Sequence, residues 1–240
     1  MNKNIQFAKH QQEFYNVLSQ RVNQYFKTNN ISRYANAEMI IKTSFMMLLF
    51  LVPYSIALSG VVASYWGYLG LCFVMGLGVA GIGLSIMHDA NHGAYSSKPW
   101  VNHLMSYTLN FVGGNSFNWK IQHNVLHHTY TNIYDVDEDI SPRGTLRMSP
   151  DSPWHPLHRF QHIYAWFLYG LMTFVWIVAK DFFRLVRYQK DGLVKKQKAN
   201  PVVEWIILLI TKAVYFSYII VLPALLLPFT IWQILLGFFV

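Results

Sequence analysis

Long apolar blocks alternate with polar ones along this chain, and the length of each block limits what it can form. Residues 1–37 are mostly polar, with Phe14, Val17, Leu18, Val22 and Phe26 at helical spacing. That stripe predicts a helix lying on a membrane surface. Residues 39–59 are apolar apart from the charge of Lys42 and supply about the 20 residues that a spanning helix needs. The linker 60–65 is uncharged, and the next apolar run, 66–87, ends at His88 with Tyr65, Trp66 and Tyr68 at its far end. Aromatic side chains of this kind favour the membrane–water boundary. The two runs predict a hairpin of spans that returns the chain to its starting side.

Residues 93–160 are mixed and polar. Within them the apolar piece 101–112 is too short to cross a bilayer, so it is expected at the membrane surface. Residues 163–179 are apolar and aromatic but lie between Arg159 and the trio Lys180, Arg184 and Arg187, which predicts an interfacial segment rather than a span. Residues 202–222 form a further span, interrupted only by Glu204 near its start and by Lys212. An uncharged turn around Pro223 and Pro228 follows, and 229–240 begins another crossing. These 12 residues cannot cross about 30 Å of hydrocarbon at about 1.5 Å per residue, so the gene product is expected to continue past Val240. The predicted fold is all-α, a multi-pass membrane helical bundle with interfacial helices and a histidine-rich cap, forming one domain over 1–240.

Composition agrees with a bilayer protein: 53% of residues are hydrophobic, 17% aromatic and 12% charged, against about 25% charged in soluble domains. Lys and Arg number 19 against 11 Asp and Glu. In a membrane protein such an excess marks cytoplasmic loops, which places the N-terminus, the histidine cap and the basic stretch 180–198 in the cytoplasm and makes nucleic acid the weaker partner. The single cysteine, Cys72, lies in an apolar run, which excludes an internal disulfide and argues against thiolate metal chemistry.

The chemistry resides in two clusters at span edges, His88-Asp-Ala-Asn-His92 and His123-Asn-Val-Leu-His127-His128. Helix positions i and i+4 share a face, so His88 pairs with His92 and His123 with His127. His128 projects about 100° around the helix from His127, toward a second ion or the opposite side of one cavity. Five imidazoles at the bilayer edge would cost energy if unpaired, and metal ligation by all five accounts for them. Spacing leaves Fe, Zn, Cu and Ni open. His155, His158 and His162 are expected as interfacial side chains, and His10 and His103 as ordinary ones. Residues 76–81 match a dinucleotide fingerprint, but inside a span their small side chains instead predict close helix packing. Asp135, Asp137, Glu138 and Asp139 lack the glycine and distal glutamate of a calcium loop. They are expected to form a solvated turn or to orient ligating imidazoles.

The two clusters, placed after two spans, resemble the first two histidine boxes of the membrane fatty acid desaturases. The flanking residues extend the likeness: Gly93 after the first box, Asn118-Trp119 before the second, and Thr129-Tyr-Thr-Asn132 after it. The pattern is similar to bacterial acyl-CoA and acyl-lipid desaturases near the linoleoyl-CoA desaturase, of front-end type. The resemblance implies an O2-dependent fatty acyl desaturase with two irons, in which His88, His92, His123, His127 and His128 are iron ligands. It further implies an acyl-CoA or acyl-lipid substrate and a separate electron donor such as cytochrome b5 or ferredoxin with its reductase. The family's third box lies beyond the last crossing and is expected past Val240. Rival readings are a hydroxylase, ketolase or alkane oxygenase of the same membrane di-iron group, and a transporter or non-catalytic metal-binding protein, whose spans should carry ionisable residues lining a path; Lys42, Glu204 and Lys212 are instead expected near span ends.

Overall fold

The structure, a computed structural model, describes residue 5, residues 12–141 and residues 145–240; His10 lies outside them. The described residues form helices and no strand. Helix α1 (Gln12–Thr28) buries none of its side chains against the rest of the chain, leaving its apolar stripe free for a membrane surface. The hairpin α2 (Ala37–Leu58) and α3 (Tyr65–Asn91) follows, then the short helices α4 (Pro99–Ser106) and α5 (Thr108–Phe111). Helix α6 (Ser116–Lys120) continues as a wider turn over Ile121–His127. Next come α7 (Pro156–Lys190), α8 (Leu193–Lys196), α9 (Pro201–Leu226) and α10 (Ile231–Phe239). Among the described residues, α2, α3, α7 and α9 are long and apolar enough to cross a membrane. The bundle is that of a helical membrane protein.

Small residues set the distance between α2 and α3. A Cβ on Gly78 would stand 2.8 Å from the backbone nitrogen of Phe50, and one on Gly81 would meet the Met46 sulfur. The glycines at these two positions therefore allow close backbone approach. At the far end of the hairpin, Tyr65 donates to the Gln233 carbonyl at 3.2 Å and Tyr68 packs on Phe229, so the α2–α3 and α9–α10 turns lie together. Asn36 caps the opposite end of α2 by accepting the Met39 amide at 3.0 Å.

Residues 163–179, expected as an interfacial segment, form the middle of the 35-residue α7, which is long and apolar enough to cross a membrane by length and composition. Two expectations need correction. Residues 101–112 are only half superficial. Leu109 and Val112 are buried in the core with Phe50, Ile82 and Trp119, and the chain from α5 to α6 re-enters between spans. Lys212 is not near a span end. It is buried in the middle of α9, its Nζ 2.8 Å from Asp181 Oδ2, 2.5 Å from the Gly113 carbonyl and 2.7 Å from the Ile177 carbonyl.

That lysine explains how the re-entrant segment is tolerated. Non-helical backbone at membrane depth needs hydrogen-bond partners from the protein. Lys212 serves Gly113, Tyr218 serves the Phe111 carbonyl, and the Asn110 side chain accepts the Ser116 amide at 3.1 Å. Gly113 has φ +90°, and a Cβ there would strike the Tyr215 ring.

Candidate metal centre

Both histidine clusters sit where a regular helix is interrupted. In α3 a wide turn, Ile82–Ile86, precedes the last α turn, Met87–Asn91, and His92 caps it. Gly93, with φ +70°, then turns the chain away. The rings of His88 and His92 lie 4.6 Å apart, as the i, i+4 spacing requires.

The second cluster departs from the simple reading. Ile121–His127 is π-helical, and the His128 amide donates to the His123 carbonyl at 2.9 Å, an i to i+5 bond. Such wide turns recur at functional sites. Here the extra residue brings His128 back over His123, with rings 4.6 Å apart and Nε2 atoms 3.2 Å apart. On a regular helix His128 would diverge. The two clusters then meet: His92 is 4.8 Å from His128 and 5.2 Å from His123, and His88 is 5.4 Å from His123, ring to ring. All five predicted residues share one patch. Direct bonds hold the clusters together: Ser116 Oγ donates to Asn91 Oδ1, and Asn124 Nδ2 to the Asn91 carbonyl, both at 2.9 Å.

Two groups have donor atoms within 4.8 Å of one another, His88–His92–His123 and His123–His127–Asp139. Imidazole nitrogens without a thiolate suit a first-row transition metal such as iron, so this donor set fits the metal that the resemblance implies. Crowding of His92 by protein, and then by His88, His123 and His128, pushes its pKa down to about 4. Burial likewise lowers that of His123, outweighing the opposing pull of Asp139. Both rings are therefore neutral near pH 7 and keep a lone pair for a metal. His155 and His158 instead cap the start of α7, where the His155 amide donates to His158 Nδ1 at 3.0 Å. His103 packs on Tyr107.

One contributor went unassigned in the sequence. Trp119 stacks on His123 at 4.4 Å and stands edge-on to His88 and His92 at 5.7 and 5.8 Å, walling one side of the patch. The acidic turn, expected to be solvated or to orient imidazoles, lies against the second cluster. Asp137 is fully buried, with both oxygens 3.0 Å from His127 Nδ1. It also accepts the amides of Asn132 and Asp139 at 2.9 and 3.0 Å. Burial alone would raise this carboxyl, but those amides and His127 hold it below the usual range. Asp139 Oδ2 lies 3.5 Å from His123 Nδ1 and 3.4 Å from His127 Nδ1, while Gln122 donates to its other oxygen at 2.5 Å. Glu138 points the opposite way, to Arg184 at 3.4 Å, to Arg187 and to Tyr188 Oη at 3.0 Å. Part of the basic stretch 180–198 is thus consumed internally. Lys190, Lys195, Lys196 and Lys198 remain exposed.

A helical membrane protein with a cluster of imidazoles at one end of its spans is the class that this geometry defines. Residues 63–240 match the family described as fatty acid desaturase. The chain is 36% identical over 226 residues to an sn-1 linoleoyl-lipid 6-desaturase of Synechocystis sp., covering 93% of this chain and 61% of that protein. It is 39% identical over 166 residues to the enzyme of the same name from Arthrospira platensis, covering 69% and 45%. It is 35% identical over 218 residues to an acyl-lipid (8-3)-desaturase of Physcomitrium patens, covering 89% and 44%. It therefore belongs to the fatty acid desaturase family and is an integral membrane protein, spanning roughly half the length of these relatives. No solved structure matches it.

Proposed function

We propose that the protein introduces a double bond into a fatty acyl chain, and that His88, His92, His123, His127 and His128 are ligands of its two irons. The convergence of two separate clusters into one patch, enforced by the π turn at 121–127, carries this reading. An unactivated methylene has no acidic proton and no leaving group, so its dehydrogenation needs the oxidant that iron and O2 together supply. The chain's own residues orient and shield. Neutral imidazoles offer lone pairs, Trp119 closes one wall, and the bonds from Ser116 and Asn124 to Asn91 fix one cluster against the other.

The names of the relatives favour an acyl-lipid substrate over acyl-CoA. Turnover of O2 requires electrons, for which cytochrome b5 or ferredoxin with its reductase is the proposed donor. The exposed lysines at 190–198 offer a dock for an acidic carrier. The positive-inside rule places the metal patch on the cytoplasmic face. Labelling of cysteines introduced at Ser97 and Gly60 tests that orientation, and accessibility of position 97 from outside alone would reverse it. The function is tested by expressing the complete gene product in a host fed labelled acyl chains. His92→Ala and His127→Ala should each abolish the unsaturated product while leaving membrane insertion intact, and near-parental product from either variant would refute the ligand assignment.

A further inference from the structure

The turn 137–139 alternates its three carboxylates between two surfaces. Asp137 and Asp139 face the Nδ1 edges of His127 and His123, and Glu138 faces Arg184, Arg187 and Tyr188 on α7. An ionised carboxylate can only accept a hydrogen bond, so the nitrogen that meets it must carry the proton. His127 Nδ1 therefore donates to Asp137. Its Nε2 is left with the lone pair. His123 has the same polarity, with Asp139 on its Nδ1 side and His128 3.2 Å from its Nε2. In the first cluster His88 Nδ1 lies 3.1 Å from Asp89 Oδ1. Three imidazoles thus have a carboxylate at the Nδ1 edge, and the Nε2 of His123 meets the Nε2 of His128.

The position of Asp137 is itself fixed. It is fully buried and takes three donors, two of them backbone amides of its own loop, closed by Asn132 at φ +64°. A carboxylate at such depth is costly unless its oxygens are saturated. Because the same turn is anchored to α7 through Glu138, the imidazoles of the second cluster are held by groups outside their own helix.

Resting on the metal-site reading above, we propose that Asp137 and Asp139 are positioning residues that fix the Nδ1-protonated form of His127 and His123, presenting Nε2 to the metal. Neither touches substrate. Carboxylates that accept from ligating histidines set both ring orientation and ligand basicity, and their loss costs about 10–100-fold in metal affinity.

The test uses the complete gene product in detergent. Affinity for cobalt(II), as probe metal, is measured by chelator competition, and folding of the metal-free protein by circular dichroism and thermal unfolding. Asp137→Asn and Asp139→Asn should each bind cobalt about 10–100-fold more weakly. Asp139 is partly open to solvent, so Asp139→Asn should keep the unfolding temperature of the parent. Asp139→Glu, which restores a carboxylate, should recover most of the affinity. If Asp137→Asn fails to fold, the Asp139 pair decides. Parental affinity in Asp139→Asn, or equal loss in Asp139→Asn and Asp139→Glu, overturns the proposal while leaving the metal site standing. A parent protein that binds no cobalt and no iron overturns both.

Discussion

Replacing Lys212 by methionine keeps the unbranched shape of the side chain and removes only its charge and donors. Asp181, fully buried, would then keep the Trp176 indole N–H at 2.9 Å as its side-chain partner and lose its counter-charge. Breaking a buried pair from one side costs about 3–5 kcal/mol. The Gly113 carbonyl, which accepts from Lys212 at 2.5 Å, would lose a donor worth about 1–3 kcal/mol, but the two losses share one group and do not add in full. The expected cost is about 3–5 kcal/mol, or roughly two to three and a half powers of ten in the folding equilibrium. Titration with a denaturing detergent in mixed micelles, followed by tryptophan fluorescence, would measure it. The double variant Lys212→Met with Asp181→Asn removes both charges and keeps an acceptor for Trp176, so it should recover more than half of the loss. A cost below about 1 kcal/mol for the single variant, well under the range for a buried pair, would refute the reasoning. So would a double variant as unstable as the sum of the singles.

Gly78→Val should separate α2 from α3, because its Cβ would stand 2.8 Å from backbone that cannot yield; overpacking of this kind costs about 1–3 kcal/mol, read by the same titration. Trp119→Ala should lower stability by about 3–5 kcal/mol and loosen metal retention, since the ring is buried against His123; unchanged iron content would show that the wall is dispensable. Replacing Lys190, Lys195, Lys196 and Lys198 by glutamine should flatten the salt dependence of turnover with an acidic electron donor, and an unaltered slope would remove that surface as the dock.

Hydropathy was enough to find α2, α3 and α9, because a span declares itself by about 20 uninterrupted apolar residues. It fell short at 101–112, where the deciding partner is remote in sequence: Lys212 reaches Gly113 from 99 residues away. The five histidines were legible as a set because two clusters of this spacing have few structural uses. The mutual approach of His123 and His128 was not, since helical periodicity assumes a regular turn and nothing local signals the added residue. Asp137 and Asp139 were visible as an acidic run, but their division from Glu138 depends on a turn closed by a left-handed asparagine.

The π-helical segment also makes residue number at 121–127 as informative as residue identity. Removing a single residue such as Asn124 would leave His128 four residues after His123, where an ordinary α-helix keeps two side chains on one face. The residues after it, with Leu126 only 1% exposed beside Leu185 and Tyr188, would stay close to their present places, and the loss would be the bond from Asn124 to the Asn91 carbonyl. The wide turn therefore absorbs one residue without turning the rest of the helix, and a relative one residue shorter here would keep His123 and His128 together on a regular helix.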